Sequence, residues 1–205
     1  MTPRSRAGCS DSGNSKDGRA LARKAALRKS DLPDGWASKP ATEGEVNLLE
    51  CRAIDRANDL ADEGTKAVSP NLSDPMDPTN ARQIENTVYV FGSVGAADGY
   101  FRVYAADTAL KCFEALGESI SAQLGGGVPV SVQTPGARVK GADAVVEYKI
   151  IVGPSGDPAQ SFFQHILVVR VGRVVAGFTA QNFGGDFPQG NAALTAVLNR
   201  INKAN

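Results

Sequence analysis

The side chains that could carry covalent, acid–base or metal chemistry are few in this 205-residue sequence: three cysteines and one histidine. A structural zinc site needs four closely spaced ligands, usually with paired cysteines. Cys9, Cys51 and Cys112 are scattered, and no Cys-x-x-Cys is present. The sequence therefore predicts no metal site and no cofactor.

His165 is the one histidine available for acid–base catalysis. It lies in an apolar segment, SFFQHILVVRV (161–171), that is typical of a strand, where it would share a face with Phe163, Leu167 and Val169. No Gly-x-Ser-x-Gly nucleophile motif accompanies it. We therefore predict no catalytic residues. The alternative is a hydrolase in which the fold brings His165 together with a serine and a carboxylate.

Cys51 and Cys112 have two interpretations. Cys112 lies on the apolar face of a predicted helix, so the pair can form a disulfide that ties the N-terminal segment to the core. Two buried free thiols that behave as small hydrophobic side chains are the other possibility. The residue types by themselves favour neither the disulfide nor the two free thiols.

Cys9 lies in the segment Ala7-Gly8-Cys9-Ser10, which is similar to the end of a lipoprotein signal followed by a polar tether. A lipobox normally has an apolar residue three positions before the cysteine, where this chain has Arg6. Either a degenerate leader begins upstream of this start, or Cys9 is an incidental thiol. Cys9 is thus a candidate lipid anchor in a sequence with no intact signal peptide.

Composition limits the classes of partner. The 22 basic and 22 acidic residues balance, and the densest basic cluster, at 19–29, is typical of the solvated side of a short helix. Nucleic acid and anionic membrane surfaces are therefore poorly supported as partners. No stretch approaches the roughly 20 apolar residues of a membrane-spanning helix.

The order of elements predicts an α+β fold: an antiparallel β-sheet covered by helices, with a long central helix and a C-terminal helix. Residues 1–18 are polar and predict a disordered tether, and residues 19–205 predict a single domain. The predicted helices are 19–30, 46–61, 96–124 and 189–203. The predicted strands are 87–92, 128–132, 143–153, 161–171 and 174–181. A polar linker is expected at 37–45 and a long loop at 64–82.

Gly172-Arg173 separates the last two predicted strands, and two residues with glycine first predict a tight hairpin turn. Most aromatic side chains must belong to the core. Any ligand-binding groove is expected between the long helix and the sheet or at a partly open sheet face. The aromatics placed beside predicted loops or helix ends, and so expected at its rim, are Trp36, Tyr100, Phe183 and Phe187.

Several segments together resemble a group of actinobacterial envelope proteins, namely secreted lipoproteins and the extracellular sensor domains of serine/threonine kinases. The resemblance covers about residues 27–203, and related lipoproteins have a fold similar to that of PsbP. The segments that carry it are DLPDGW (31–36), VYVFGSVGAADGYF (88–101), Cys112, PGARVKGADAVVEY (135–148) and ILVVRVGRVVAGFTAQ (166–181).

This resemblance implies an antiparallel sheet flanked by helices and an extracytoplasmic location, secreted or lipid-anchored. An oxidising compartment in turn favours the Cys51–Cys112 disulfide. The implied function is a non-enzymatic accessory domain that binds a small apolar ligand or an envelope protein, tethered to the membrane only through Cys9. A purely structural interaction module is a further possibility. The motifs are structural, so the resemblance supplies no catalytic residues.

Overall fold

The structure is a computed structural model that describes residues 16–41, 51–74, 76–77, 82–154, 157–184 and 188–204. Within these ranges the helices are α1 (Lys16–Ala25), α2 (Arg52–Ala61), α3 (Val94–Ala105), α4 (Asp107–Gln123) and α5 (Pro188–Asn202). The strands are β1 (Ala37–Lys39), β2 (Thr65–Val68), β3 (Asn71–Ser73), β4 (Gln83–Val90), β5 (Val130–Gln133), β6 (Ala144–Val152), β7 (Phe162–Val171) and β8 (Val174–Phe183). Single-turn 3₁₀ helices lie at Lys29–Asp31 and Pro158–Gln160.

The strands form one antiparallel sheet in the order β1-β3-β4-β8-β7-β6-β5, and β2 pairs with β4 beside β3. β7 and β8 pair over their whole length around the two-residue turn Gly172-Arg173. Gly172 takes a φ of 55°, the positive value that the first residue of a hairpin turn needs. The predicted α+β fold, its antiparallel sheet and this hairpin are confirmed.

Helices pack on both faces of the sheet. On the first, the α1–α5 face, the helices cover a core that includes Val88, Val169, Val174, Ala176 and Phe178. On the second, the α2–α4 face, α2, α3 and α4 cover Tyr89, Val168 and Val175 toward the middle of the sheet and Tyr148, Ile150 and Val152 toward β5. Strict alternation along each strand produces the two faces, because successive side chains of a strand point to opposite sides.

Two regions predicted to be irregular contain short strands. β2 and β3 lie in the expected loop 64–82, and β1 lies in the expected linker 37–45. Each has only three or four residues and no long alternation of apolar side chains, so the sequence carries no strand signal there. Pairing with β4 makes these segments strands instead. β2 and β3 form hydrogen bonds with the backbone groups along the free edge of β4.

The first helix begins at Lys16, inside the segment 1–18 that was expected to be a tether. Gly18 is buried with Ala22 and Ala25, so the fully buried part of this helix face consists of small residues that pack closely on the rest of the protein, beside the partly buried Leu21. Small side chains bury little apolar area, and the sequence therefore shows no periodic signal this early. Residues 1–15, with Cys9, lie outside the described residues.

The long helix predicted at 96–124 is two helices, α3 and α4, separated by Ala106 in an extended conformation (φ −84°, ψ 150°). No proline or glycine lies at the break. The Tyr148 hydroxyl donates to the Tyr104 carbonyl at 2.6 Å, and that carbonyl would otherwise accept from the Thr108 amide in a continuous helix. A tertiary contact thus occupies the acceptor that the helix needs at this point.

Arg200 on α5 binds the C-terminal end of α1 and the turn that follows it. Its guanidinium makes two hydrogen bonds of 2.7 Å to the two carboxylate oxygens of Asp31, and it also donates to the carbonyls of Ala25 and Ala26. Burial by itself raises the pKa of Asp31, but the hydrogen bonds from Arg200 and from the Arg28 amide outweigh it and lower that pKa. The bidentate pair stabilises the packing of α1 on α5.

We expect Asp31→Asn to lower the free energy of unfolding by about 1–3 kcal/mol above pH 5, because it removes a charged hydrogen-bond acceptor from Arg200. A lowered carboxyl pKa stabilises the fold above the unfolded pKa of about 3.9 and stops doing so as pH falls through the folded pKa. The difference between wild type and variant should therefore shrink below about pH 4. Urea denaturation from pH 3 to 7 measures it, with the exposed Asp34→Asn as control. A pH-independent difference would contradict this role for Asp31.

Candidate functional site

The main cavity of the described chain is an open groove of about 680 Å³ between α2 and the junction of α3 with α4. Cys51 and Ala53 line it from α2, Gly99 and Val103 from α3, and Cys112 from α4. Its volume falls within the range of about 300–1,000 Å³ that small-molecule sites occupy. The groove is therefore large enough for a small organic ligand.

A disulfide forms one wall of the groove. Cys51, the N-cap residue of α2, is joined to Cys112 in α4, with their Cα atoms 5.8 Å apart. This is the pairing that the resemblance to envelope proteins implies. The bond connects α2 directly to α4, so it sets the separation of the two helices that border the groove.

The break between α3 and α4 also borders the groove. Ala106, at the break, and Thr108, in the first turn of α4, both line it. Ala106 is the N-cap of α4 and has no side-chain oxygen to accept from the first amides of the helix. The start of a 17-residue helix therefore meets the groove without a side-chain cap.

Four cations surround the groove: Arg52, Arg56, Arg102 and Lys111, all with exposed side chains. None of the described lining residues is acidic. Arg102 pairs with Asp98 one turn earlier in α3, at 2.7 Å. Over the described ranges, no ion pair forms at the other three cations. Sequence reasoning missed this cluster because its members come from three helices.

Gly99 lies in the middle of α3 and borders the groove. A Cβ atom placed on Gly99 would have no other atom within 4 Å, so the position faces open space. Glycine inside a helix costs about 0.5–1 kcal/mol relative to alanine. Packing does not require a glycine here, and its effect is to keep the groove wide.

A tyrosine cluster lies behind the groove, between α3 and the sheet. Tyr100 contacts Tyr89, Phe91 and Tyr104 with ring centroids 5.0–5.4 Å apart, and the hydroxyls of Tyr100 and Tyr104 are 3.3 Å apart. Burial raises the pKa of the hydroxyls of Tyr89, Tyr100 and Tyr104 above the usual value. These groups stay neutral and act as packing and hydrogen-bonding side chains.

The aromatics expected at a groove rim do not come together. Trp36 is buried, 3 % exposed, in the core of the α1–α5 face, whereas Tyr100 is 5 % exposed beneath α3 on the opposite face. Phe183 packs edge-on against Phe162 at the end of β8, with centroids 5.4 Å apart. Phe187 lies outside the described residues. None of the three described residues lines the large groove.

His165 lies on the α1–α5 side of β7, opposite Lys149 and Ala180 of the neighbouring strands. Its Nδ1 is 3.7 Å from Glu147 Oε1, which is too long for a hydrogen bond. Because the groove lies on the α2–α4 side, His165 and the groove are on opposite sides of the sheet.

A second, polar pocket of about 80 Å³ lies at the far end of the α2–α4 face. Gln83 and Glu85 of β4 and Thr179 and Gln181 of β8 line it. Burial raises the pKa of Glu85. Its volume accommodates only a few water molecules, so the larger groove is the better candidate site.

Among the residues that the structure describes, no group of three or more His, Cys, Asp or Glu side chains is arranged to hold a metal ion. No helix in the same part of the chain is both long and apolar enough to cross a membrane.

Comparison with known proteins shows similarity at the level of the fold. No protein-family model matches the chain, and no curated protein matches it. The structure is similar to the crystal structure of the extracellular domain of PknH from Mycobacterium tuberculosis, with a TM-score of 0.52 and 13% sequence identity. The match covers 90% of this chain and 96% of that domain, so the two share nearly the whole architecture.

We expect the double variant Cys51→Ser/Cys112→Ser to lose about 4 kcal/mol of folding free energy, because the disulfide closes a loop of 61 residues in the unfolded chain. Guanidinium denaturation without reductant measures the loss. Treating the wild type with a reductant should reproduce the effect, and the double variant should not respond to it. Equal stability of wild type and double variant would show that the bond does not hold α2 on α4.

Proposed function

We propose that this chain is a non-enzymatic extracytoplasmic binding domain whose ligand occupies the groove between α2 and the α3–α4 junction. The observation that carries the proposal is the groove itself, about 680 Å³, open, and kept wide by Gly99 in the middle of a helix. Packing does not require a glycine at the border of this groove, and functional sites commonly carry residues that lower stability in this way.

Two observations support an extracytoplasmic location. A disulfide between Cys51 and Cys112 persists in oxidising compartments and is rare in the cytosol. The fold is also similar to that of the extracellular domain of PknH. Attachment of the chain to the membrane through a lipid on Cys9 belongs to this proposal as well, and mass spectrometry of the protein from its native envelope tests it.

The shape of the site supports a binding role rather than a catalytic one. The ionisable groups that line the groove are arginines and one lysine, and the described lining offers no carboxylate or histidine to act as a base for the Thr108 hydroxyl. The tyrosines behind it are held neutral by burial. A sensor-like domain or an envelope-protein partner fits this arrangement, because neither requires chemistry at the site.

A hydrolase centred on His165 is the competing function, since Glu147 lies within 4 Å of the imidazole. The described serines whose hydroxyls donate hydrogen bonds, Ser69, Ser121 and Ser161, all donate to backbone carbonyls, which does not favour a nucleophilic role. The non-enzymatic proposal is therefore the better supported of the two.

We expect Gly99→Phe to abolish ligand binding in the groove, because the new ring enters space that is empty of protein atoms. The fold should persist, since phenylalanine has a higher helix propensity than glycine. Two-dimensional NMR with a small-molecule fragment library measures binding through the amides of Ala53, Gly99 and Ala115 in the wild type. Gly95→Phe, one turn earlier in α3 and outside the described lining, is the matched control.

Fragment shifts that map instead to the α1–α5 face, and survive in Gly99→Phe, would contradict the assignment of this groove.

We expect His165→Gln to leave any hydrolytic turnover at background, as in the wild type, because the described serine hydroxyls that donate hydrogen bonds all donate to backbone carbonyls. A screen of chromogenic esters, amides and phosphoesters on both proteins measures this. Turnover well above background in the wild type that disappears in the variant, with an unchanged circular dichroism spectrum, would establish the hydrolase instead.

A further inference from the structure

We infer that the groove selects a small amphiphilic anion, a free molecule with an acidic head group and a short hydrocarbon body. This inference rests on the proposed binding function and specifies the ligand class. It changes the expectation of a purely apolar ligand, because the charged side chains among the described lining residues are all cationic.

Three cations at the rim carry the argument, because the fourth, Arg102, is already paired with Asp98. Arg52 and Arg56 are one turn apart on α2, so they lie on the same side of that helix, and Lys111 faces the groove from α4. The chain as a whole has no net charge, so this concentration of positive charge is local. Since none of the described lining residues neutralises it, an acidic ligand would supply the missing counter-charge.

The start of α4 adds a second, independent attraction for an anion. The first amides of a helix lack intrahelical acceptors, and the helix dipole places partial positive charge there. Ala106 and Thr108 bring this end of the 17-residue helix to the groove, and Ala106 offers no side-chain acceptor. Asp107 is in the same turn but does not line the groove. The Ala109 amide donates to the Ala106 carbonyl, so the amides left for ligand oxygens are those of Asp107 and Thr108.

The base of the groove accounts for the hydrocarbon body. Ala53, Val103 and Ala115 present methyl groups, and the disulfide adds a further apolar surface. Apolar walls with a few charged groups at the margin are typical of sites for small amphiphiles. The volume of about 680 Å³ suits such a molecule. A stable protein partner would instead need to bury a much larger surface area than such a groove offers.

Titration calorimetry with octyl phosphate below its micellar concentration tests the inference. Octan-1-ol is the neutral probe of equal chain length, and inorganic phosphate is the head group without the chain. We expect octyl phosphate to bind at least about tenfold more tightly than either, because only it uses both the cations and the apolar base. Binding should weaken as sodium chloride rises from 0.05 to 0.5 M, since salt screens exposed charges.

Arg52→Gln/Arg56→Gln should remove most of this preference and bring the affinity for octyl phosphate close to that for octan-1-ol. Arg138→Gln/Lys140→Gln is the matched control, because it removes two exposed positive charges that do not line the groove. The control should bind octyl phosphate as the wild type does. Equal loss in both double variants would show a general charge effect and overturn the inference.

The remaining outcomes separate the inference from the proposed function. If octan-1-ol binds as tightly as octyl phosphate and Gly99→Phe abolishes both, the groove binds ligands but does not select anions. If octyl phosphate binds equally well to Gly99→Phe, the groove is not its site and the inference fails. If vesicles containing phosphatidic acid bind the protein while octyl phosphate does not, the cations recognise a membrane surface and the inference is overturned.

Discussion

The hydrogen bond from the Tyr148 hydroxyl to the Tyr104 carbonyl is the contact on which the shape of the α2–α4 face depends. It takes the acceptor that would continue the helix through residue 106, and α3 and α4 separate there. Tyr148 in turn packs against Phe113 of α4, with ring centroids 4.3 Å apart and the ring planes tilted by 41°, so the same side chain contacts the second helix. At a break without proline or glycine, a tertiary contact thus takes the place of a helical hydrogen bond.

The break has a direct consequence for the groove. At the break, Ala106 and the first turn of α4 line the groove. The Cys51–Cys112 disulfide then holds α2 across this opening. The groove is thus bordered by a hydrogen-bonded helix junction on one side and by a covalent bond on the other, which makes it a stable feature of the fold rather than a gap between loosely packed elements.

On the opposite face of the sheet, polar contacts add to the apolar core. Arg200 fastens α1 to α5 through Asp31, and the buried Asn86 of β4 accepts from the Leu27 amide and donates to the Gly177 carbonyl. Each contact joins segments far apart in the sequence. Small helical residues such as Ala22 and Ala25 bury little area, so these polar contacts specify where α1 docks.

The sequence by itself determined the helices and strands with strong periodicity, from β4 through α5, and the hairpin at Gly172, because local patterns of 2 and 3.6 residues and turn chemistry act over short ranges. Together with the resemblance to envelope proteins, it also indicated a disulfide between Cys51 and Cys112. Only the tertiary structure decided the break at Ala106, the edge strands β1, β2 and β3, and the gathering of Arg52, Arg102 and Lys111 around one groove. These depend on contacts between residues far apart along the chain, and local sequence pattern does not encode which distant elements meet.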